Sequence, residues 1–570
     1  MNKFFIEIFN RQSRSIDNES IDTVIFNKKN LKISFSQNKF CYHKPSKNKN
    51  YFILSSISSK DRKRIIKKYD FINIEKSDSE ILLDLYLKFG SKIFKIFGSS
   101  FFFFYFDFDK KNALIARDHI GFNSIYYTKK DDSLFISSSL NDLKKNSGEN
   151  LKINYTILKK FLNLDAFSKD QTFFEDILKL PPSNVLEYKN NSISILSYPK
   201  FKDLTLSDSN TSQIEGLKKK LKKAIIRIEE LKEDKVGFLF SGGIDSSTIL
   251  SFFSKYDKQH RKLYAYTAKF NHIEDSIKNR IDESEFQSEV LNTLDVEDRS
   301  FETEKLSTIS NLDFYLELIG QPFFFPNLYL SHEAFKKAKN DGVSKMFNGC
   351  DGDTVVSHGF EYYEELFLKL RWFKLYKQID KLSKNVNLTK RSIFKRTVLG
   401  LLFYENKLFF SSKDKHKQIL SAPIHSSSIE VESLLADYYG VEEVYPFYNI
   451  DLMNYCINVK PDLKIDKYPR YILREAIKGL VPEKIRKRTD KANLTHGVIY
   501  SYLNHDKNII ERQLNNPHED LKKVFDVSDL KKGWIKLLDD PKKYSTFSMI
   551  PSQIFAYVVV NRWLEKESLT

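Results

Sequence analysis

Residues Val236 to Phe253 read VGFLFSGGIDSSTILSFF. Within that run Ser241, Gly242, Gly243, Asp245, Ser246 and Ser247 gather hydroxyls, a carboxylate and two side-chain-free positions into one turn. Glycines let a backbone approach a ligand closely and adopt positive φ. A helix beginning at Asp245-Ser246-Ser247 offers free N–H groups and a partial positive charge, to which serine hydroxyls add donors. Such a turn suits an anion, most naturally phosphate or pyrophosphate. It is not a Walker A loop, because no Lys follows the second glycine at the required place, and it is not GxGxxG. A carboxylate in an anion site is repulsive unless a cation intervenes, so Mg²⁺ between Asp245 and phosphate is the economical expectation. The competing reading is a plain turn with Asp and Ser as helix caps. The strand–turn–helix context favours the phosphate reading over that one.

The elements that must position this turn are legible by pattern. VGFLF alternates too little to be half exposed and reads as a central strand buried on both faces. From Val236 onward strands and helices alternate, with KLYAYTAKF as the next strand and a helix from DESEFQSEVLNTL, which implies a parallel sheet whose ligands bind past the strands' carboxyl ends. Upstream, Ile214, Leu217, Leu221, Ile225, Ile228 and Leu231 recur at helical spacing. The polar stretch Tyr198–Gln213 reads as a linker. Before it the chain is strand-rich, with strands expected at Phe101–Phe108, Ala113–Arg117, Ser124–Tyr127 and Leu134–Ser137, joined by the turns DKKN and KKDD. Residues 361–420 are basic and helical; their lysines read as a solvated face in preference to a surface that docks a partner, peptide or membrane.

Bulk properties limit the function classes. A chain of 570 residues exceeds one ordinary core, so two to four domains are expected. Cys41, Cys350 and Cys456 are too few and too scattered for a disulfide framework or a zinc site, which favours a reducing, cytoplasmic setting. The apolar start is broken by Glu7, so no secretory signal is expected, and FFFFYF at Phe101–Phe106 is too short to cross a bilayer. The net charge of +17 comes from lysines dispersed along the chain, so nucleic acid is not the expected partner.

The SGGIDSS turn resembles the pyrophosphate loop of the N-type ATP pyrophosphatases, and within them the chain resembles the asparagine synthetase family. ARDHIGFNSIYY (Ala116–Tyr127) is similar to the RDxxGxxPLYY segment of that family's amidotransferase domain, and FEDILKLPPSNVLEYKNNS to the segment that closes it. IDESEFQSEV, NGCDGDTVV (Asn348–Val356), ADYYGVEEVYPFYN and the stretch Tyr468–Tyr500 follow the family's later motifs in order. The resemblance implies an α+β, sandwich-like N-terminal domain over residues 1–205 and an α/β parallel-sheet domain over 206–570. It implies ATP and Mg²⁺ as cofactors, with Asp245 and Asp353 sharing the metal and Thr267 to Phe270 near the nucleotide. Lys491 falls on the family's charge-stabilising lysine, so Lys491 and Asp353 are the expected catalytic pair. The implied partners are a small-molecule or peptide carboxylate and ammonia or an amine, and a homodimer is compatible with the family.

Three departures stand out. Glutamine-hydrolysing members need a cysteine at the mature N-terminus, whereas Met1 is followed here by Asn2 and the nearest cysteine is Cys41, so a degenerate amidotransferase half is expected. This is the pattern of the β-lactam synthetase and lasso-peptide cyclase branches. Cys350 stands where relatives carry Glu or Tyr and is expected to be an inert filler. Asn449 replaces the Asp of PFLD. The leading expectation is an AMP-forming amide ligase. A conventional asparagine synthase and a non-catalytic ATP-binding assembly subunit stand beside it.

Overall fold

The computed structural model describes residues 3–9, 23–28, 30–36, 40–43, 50–69, 72–73, 75–146, 151–165, 168–226, 233–273, 281–386, 388–399, 408–490, 492–543 and 548–568. The N-terminal strands form two six-stranded antiparallel sheets. One runs, edge to edge, β10 (Leu178–Lys179), β8 (Tyr126–Lys130), β9 (Ser133–Ser137), β1 (Phe4–Ile8), β3 (Leu31–Ser36) and β2 (Thr23–Lys28). The other runs β12 (Ser192–Ser197), β11 (Asn184–Lys189), β7 (Asn112–Arg117), β6 (Phe101–Asp107), β5 (Tyr51–Ile57) and β4 (Cys41–His43).

The aromatic run of β6 follows from this layering. Alternate residues Phe102, Phe104 and Phe106 face the opposite sheet, where they meet Phe4, Ile6, Ile33 and Ile136. Phe101, Phe103 and Tyr105 point the other way, into Ile81, Leu82, Leu85 and Phe94. Those partners come from the helix Asp78–Phe89 and the following turn, so no face of the strand is left for polar residues.

Two sequence expectations shift. The strand expected from Ser124 starts at Tyr126. Asp118 accepts the N–H groups of Ile120, Gly121, Phe122 and Asn123, which holds that stretch as a loop. The expected strand KLYAYTAKF divides at Thr267 into β14 (Lys262–Tyr266) and β15 (Ala268–Lys269). On one side the ladder runs on through the break, with the carbonyls of Ala265, Thr267 and Lys269 accepting from Arg299, Phe301 and Thr303, whereas pairing with β13 ends once Phe240 has donated to the Tyr266 carbonyl.

That sheet is parallel and five-stranded, in the order β16 (Glu297–Asp298), β14, β13 (Lys235–Leu239), β18 (Lys345–Asn348) and β19 (Glu442–Val444). A two-stranded parallel pair joins β15 to β17 (Phe301–Glu302). β13 is central, as its unbroken apolar pattern requires, and Phe238 stacks on Phe347 of β18 at 5.3 Å. The amphipathic helix upstream spans Asn210–Ile225; Ile228 and Leu231 lie outside the described residues. Residues 361–399 form the helices Glu361–Leu368, Trp372–Ser383 and Lys390–Phe394 with one following turn.

The two halves share packing. One hydrophobic cluster joins Phe5, Phe135 and Leu158 of the N-terminal half to Tyr264 of β14 and to Val558, Trp563 and Leu564 of the last helix, Ile550–Glu567. Trp563 lies edge-on to Phe173 and Phe174, with ring centres 5.8 and 5.6 Å away. The linker is also pinned: Lys202 and Leu204 donate backbone N–H groups to Asn454 and Asn458. No helix among the described residues is long and apolar enough to cross a membrane.

Candidate functional site

A cleft of about 640 Å³ opens at the carboxyl edge of β13, β14 and β18. Its floor is the turn between β13 and the helix Ile244–Tyr256. Gly242 has φ +83°, and a Cβ there would sit 3.0 Å from the Gln287 backbone nitrogen, so the chain is folded tightly onto the neighbouring helix Ser284–Leu291. The turn is laced internally. Ser241 and Ser246 hydroxyls lie 3.2 Å apart, the Gly243 N–H donates to Ser241, and Ser246 donates to the Gly243 carbonyl. Gln287 ties it to the next strand by donating to the carbonyls of Ser241 and Ala268 while accepting from Lys269 at 2.7 Å. No side chain caps the start of the helix, so its N-terminal dipole faces the cleft.

The second wall is the turn after β18, Asn348 to Asp353. It packs backbone to backbone against the first: a Cβ on Gly349 would meet the Ser246 nitrogen at 3.0 Å, and one on Gly352 would meet the Asp245 carboxylate at 2.4 Å. Asp353 follows in the first turn of a short helix, Gly352–Val356, and lines the cleft 3.8 Å from His358. That helix rests on a buried polar chain. His416 donates through Nε2 to the Thr354 carbonyl at 2.9 Å and accepts through Nδ1 from Lys464, whose ammonium lies 3.7 Å from Glu361. Burial first, then the Lys464 charge, pushes His416 down to about 3, so the ring is neutral with its proton on Nε2.

The expected site residues divide as follows. Ser241, Gly243, Asp245, Ser246 and Asp353 line the cleft, and Gly242 forms its sharpest bend. Ser247 and Thr267 lie just behind it, fully buried, and neither hydroxyl has a hydrogen-bond partner among the described residues. Lys491 lies outside the described residues; its neighbours Thr489, Asp490 and Leu494 line the cleft. Arg488 anchors this segment through a 2.6 Å ion pair to Glu283 and by covering the Phe286 ring at 3.9 Å.

Several contributors escape sequence reasoning. Arg470, at positive φ 61°, grips both oxygens of Asp245 with its guanidinium. With Arg474 and Arg488 it lines the cleft and places cationic groups around the turn. Asp351, beside Cys350, accepts from His425 at 2.7 Å and from Tyr448. Burial alone would raise that carboxyl, but those bonds and the His425 charge bring it below its ordinary value. Deeper still, Glu432 and Glu443 both accept from the Asn348 side chain, at 3.1 and 3.0 Å. Burial and the adjacent Glu432 charge push Glu443 well above the carboxylate range, so it keeps its proton.

The departures have structural roles. Burial and the surrounding carboxylates push the Cys350 thiol well above its ordinary value, which leaves it a small filler rather than a thiolate. Cys41 is likewise raised, by burial and then Asp78. Asn449 caps the helix Ile450–Asn458 by accepting from Asp451 and Leu452. It also donates to the Gly98 carbonyl of the N-terminal half at 3.4 Å.

Taken together, a dipole-facing turn, orphaned hydroxyls, three arginines and paired turns carrying carboxylates are equipped to hold a polyanion with a cation beside it. Comparison with known proteins places the chain in a family. Residues 217–565 match the asparagine synthase family and residues 62–199 the glutamine amidotransferase domain. Amidase chry2 of Gibberella zeae is 30% identical over 203 residues, 34% of this chain and 29% of that protein. The putative asparagine synthetase (glutamine-hydrolyzing) 2 of Methanocaldococcus jannaschii is 24% identical, covering 49% of this chain and 53% of its own. Thus the chain spans about half or less of these two relatives. Asparagine synthetase (glutamine-hydrolyzing) 1 of Saccharomyces cerevisiae is 23% identical over 77% of this chain and 72% of its own. With more than half its length matched to one family, the chain belongs to the asparagine synthase family.

Proposed function

We propose that this chain is an ATP-dependent, AMP-forming ligase that adenylates a substrate carboxylate and passes the acyl group to ammonia or an amine. The observation that carries the reading is the contact of the Ser241–Ser247 turn with the Asn348–Asp353 turn, close enough for Gly349 and Gly352 to be required.

In this reading Ser241, Gly242, Gly243, Ser246 and Ser247 hold the pyrophosphate portion of ATP, and the unpartnered Ser247 hydroxyl supports that fit. Thr267 to Phe270 border the nucleotide. Asp245 and Asp353 hold Mg²⁺, which when bound neutralises phosphate charge. Arg470, which pairs with both oxygens of Asp245, would hold that carboxylate in place and add positive charge beside the phosphates. Gln287 keeps the turn in shape. Arg474 and Arg488 add positive charge at the edge of the cleft, and Lys491 stabilises negative charge as pyrophosphate departs. Orientation by the two rigid turns supplies much of the remaining acceleration.

ATP–pyrophosphate exchange with Mg²⁺ tests this, with aspartate and then other carboxylates, followed by AMP release with ammonia or glutamine as separate donors. Exchange with any acid supports the ligase reading. Aspartate-dependent exchange with turnover would select asparagine formation, the reading favoured by two relatives' names. Exchange with a different acid alone would select a specialised amide-bond former. ATP binding without exchange would favour a non-catalytic role, and absence of ATP binding would overturn the site itself.

A further inference from the structure

The helix Trp372–Ser383 buries Leu375, Ile379 and Leu382 against Tyr363, Leu366 and Ile393. Its opposite face is not the solvated polar one expected from its lysines. Phe373 is 82% exposed, Tyr376 60% and Trp372 59%, and Leu370 just before the helix is 72% exposed. Adjacent large apolar side chains at such exposure mark a contact surface rather than ordinary scatter. Leu370 also adopts a positive φ of 55°, a conformation unfavourable for an L-residue. The chain therefore turns through an unfavourable geometry just where this apolar side chain faces outward.

The surroundings of this face are strongly basic. Residues 369–396 hold ten Lys or Arg against one Asp, a net charge of +9 out of +17 for the whole chain. Within this stretch Asp380 pairs with Lys384 at 2.7 Å and with Lys390, and Glu365 and Asp466 from outside it pair with Lys369 and Lys381. Lys377 lies over the Phe373 ring at 5.4 Å and Lys390 over Tyr376 at 4.8 Å, so cations border the aromatic tips. Apolar and aromatic tips ringed by lysine and arginine, on one convex helix face, complement an interface that is apolar below and anionic at its rim. An anionic bilayer has that layering, and a nucleic acid offers no use for an outward aliphatic Leu370.

We propose that this face docks the protein onto an anionic phospholipid bilayer. Leu370, Trp372, Phe373 and Tyr376 enter the headgroup layer, and Arg371, Lys374 and Lys377 meet lipid phosphates. Binding of this kind strengthens with each basic residue near the surface and weakens with salt. The helix Glu361–Leu368 connects the face to the turn bearing Asp353 and His358.

The test uses the full chain and large vesicles of phosphatidylcholine, with or without phosphatidylglycerol. Trp534 and Trp563 are 4% and 1% exposed, so Trp372 dominates any change in tryptophan emission. Expected are co-sedimentation with phosphatidylglycerol vesicles, a blue shift that disappears in Trp372→Phe, and release as salt rises. The double variant Leu370→Ser/Phe373→Ser should bind at least tenfold more weakly with unchanged circular dichroism and ATP–pyrophosphate exchange, and Arg371→Glu/Lys377→Glu likewise. No binding at low salt, or binding without a blue shift and indifferent to both double variants, would overturn the proposal. So would binding to single-stranded RNA, or self-association lost in Phe373→Ser, if vesicles are ignored.

Discussion

At the scale of single residues, the decisive positions are those where an atom more or less would collide. A Cβ on Gly352 would strike Asp245 at 2.4 Å and Phe447 at 2.8 Å, and neither neighbour can yield, since Arg470 grips one and the core encloses the other. Gly352→Ala is therefore expected to lower ATP–pyrophosphate exchange at least tenfold. Gly440→Ala, at φ +71° with nothing within 4 Å, should cost only about 1 kcal/mol in denaturant unfolding and leave exchange intact. The local half of this site was legible in the sequence because SGGIDSS carries its own strand, turn and helix start. The other half was not. Arg470 meets Asp245 across 225 residues of chain, and no spacing rule joins them. The family resemblance located Asp353, but nothing in its neighbourhood announced the Gly352 contact that fixes it beside Asp245.

Elements position the site through supports buried beneath it. The helix carrying Asp353 has only five residues and little strength of its own, so the His416–Lys464–Glu361 chain holds it. His416 titrates at about 3 in the folded protein against an ordinary value of 6.5. The unfolded chain thus binds more protons between these values, and His416's contribution is present above pH 6.5 and lost as pH falls towards 3. Its share of the loss from pH 7.5 to 5 is roughly 2 kcal/mol. In His416→Gln, which retains a donor and an acceptor, urea melts at the two pH values should diverge less by about that amount. Periodicity revealed the elements themselves, including β6 and the amphipathic helix Asn210–Ile225. It misjudged their ends where side chains captured backbone groups, as Asp118 does before β8. It also took Trp372–Ser383 for a solvated helix, because lysine content conceals where the intervening aromatic side chains point.

At the scale of the whole molecule, a buried ion cluster bridges the two halves. Arg117 of the ARDHIGFN segment is fully buried, donates to Glu430 at 2.5 Å, and shares it with Lys179 at 3.2 Å. Glu430→Ala leaves two buried cations unpaired and should cost about 3–5 kcal/mol, read as a lower midpoint in thermal unfolding. Glu430→Gln, which keeps an acceptor, should lose less. Length and composition led us to expect separate cores. The sequence concealed that the last helix returns to the first sheet, because contacts between the two ends of a chain leave no local signature. This return has a consequence for the gene. The final helix and the opening strand pack in one cluster, so neither half has a complete interior alone. A gene cut between the two halves would encode two chains that each expose the faces meeting at Val558, Trp563 and Leu564, so either half made alone is expected to unfold or aggregate, while the two made together should find each other.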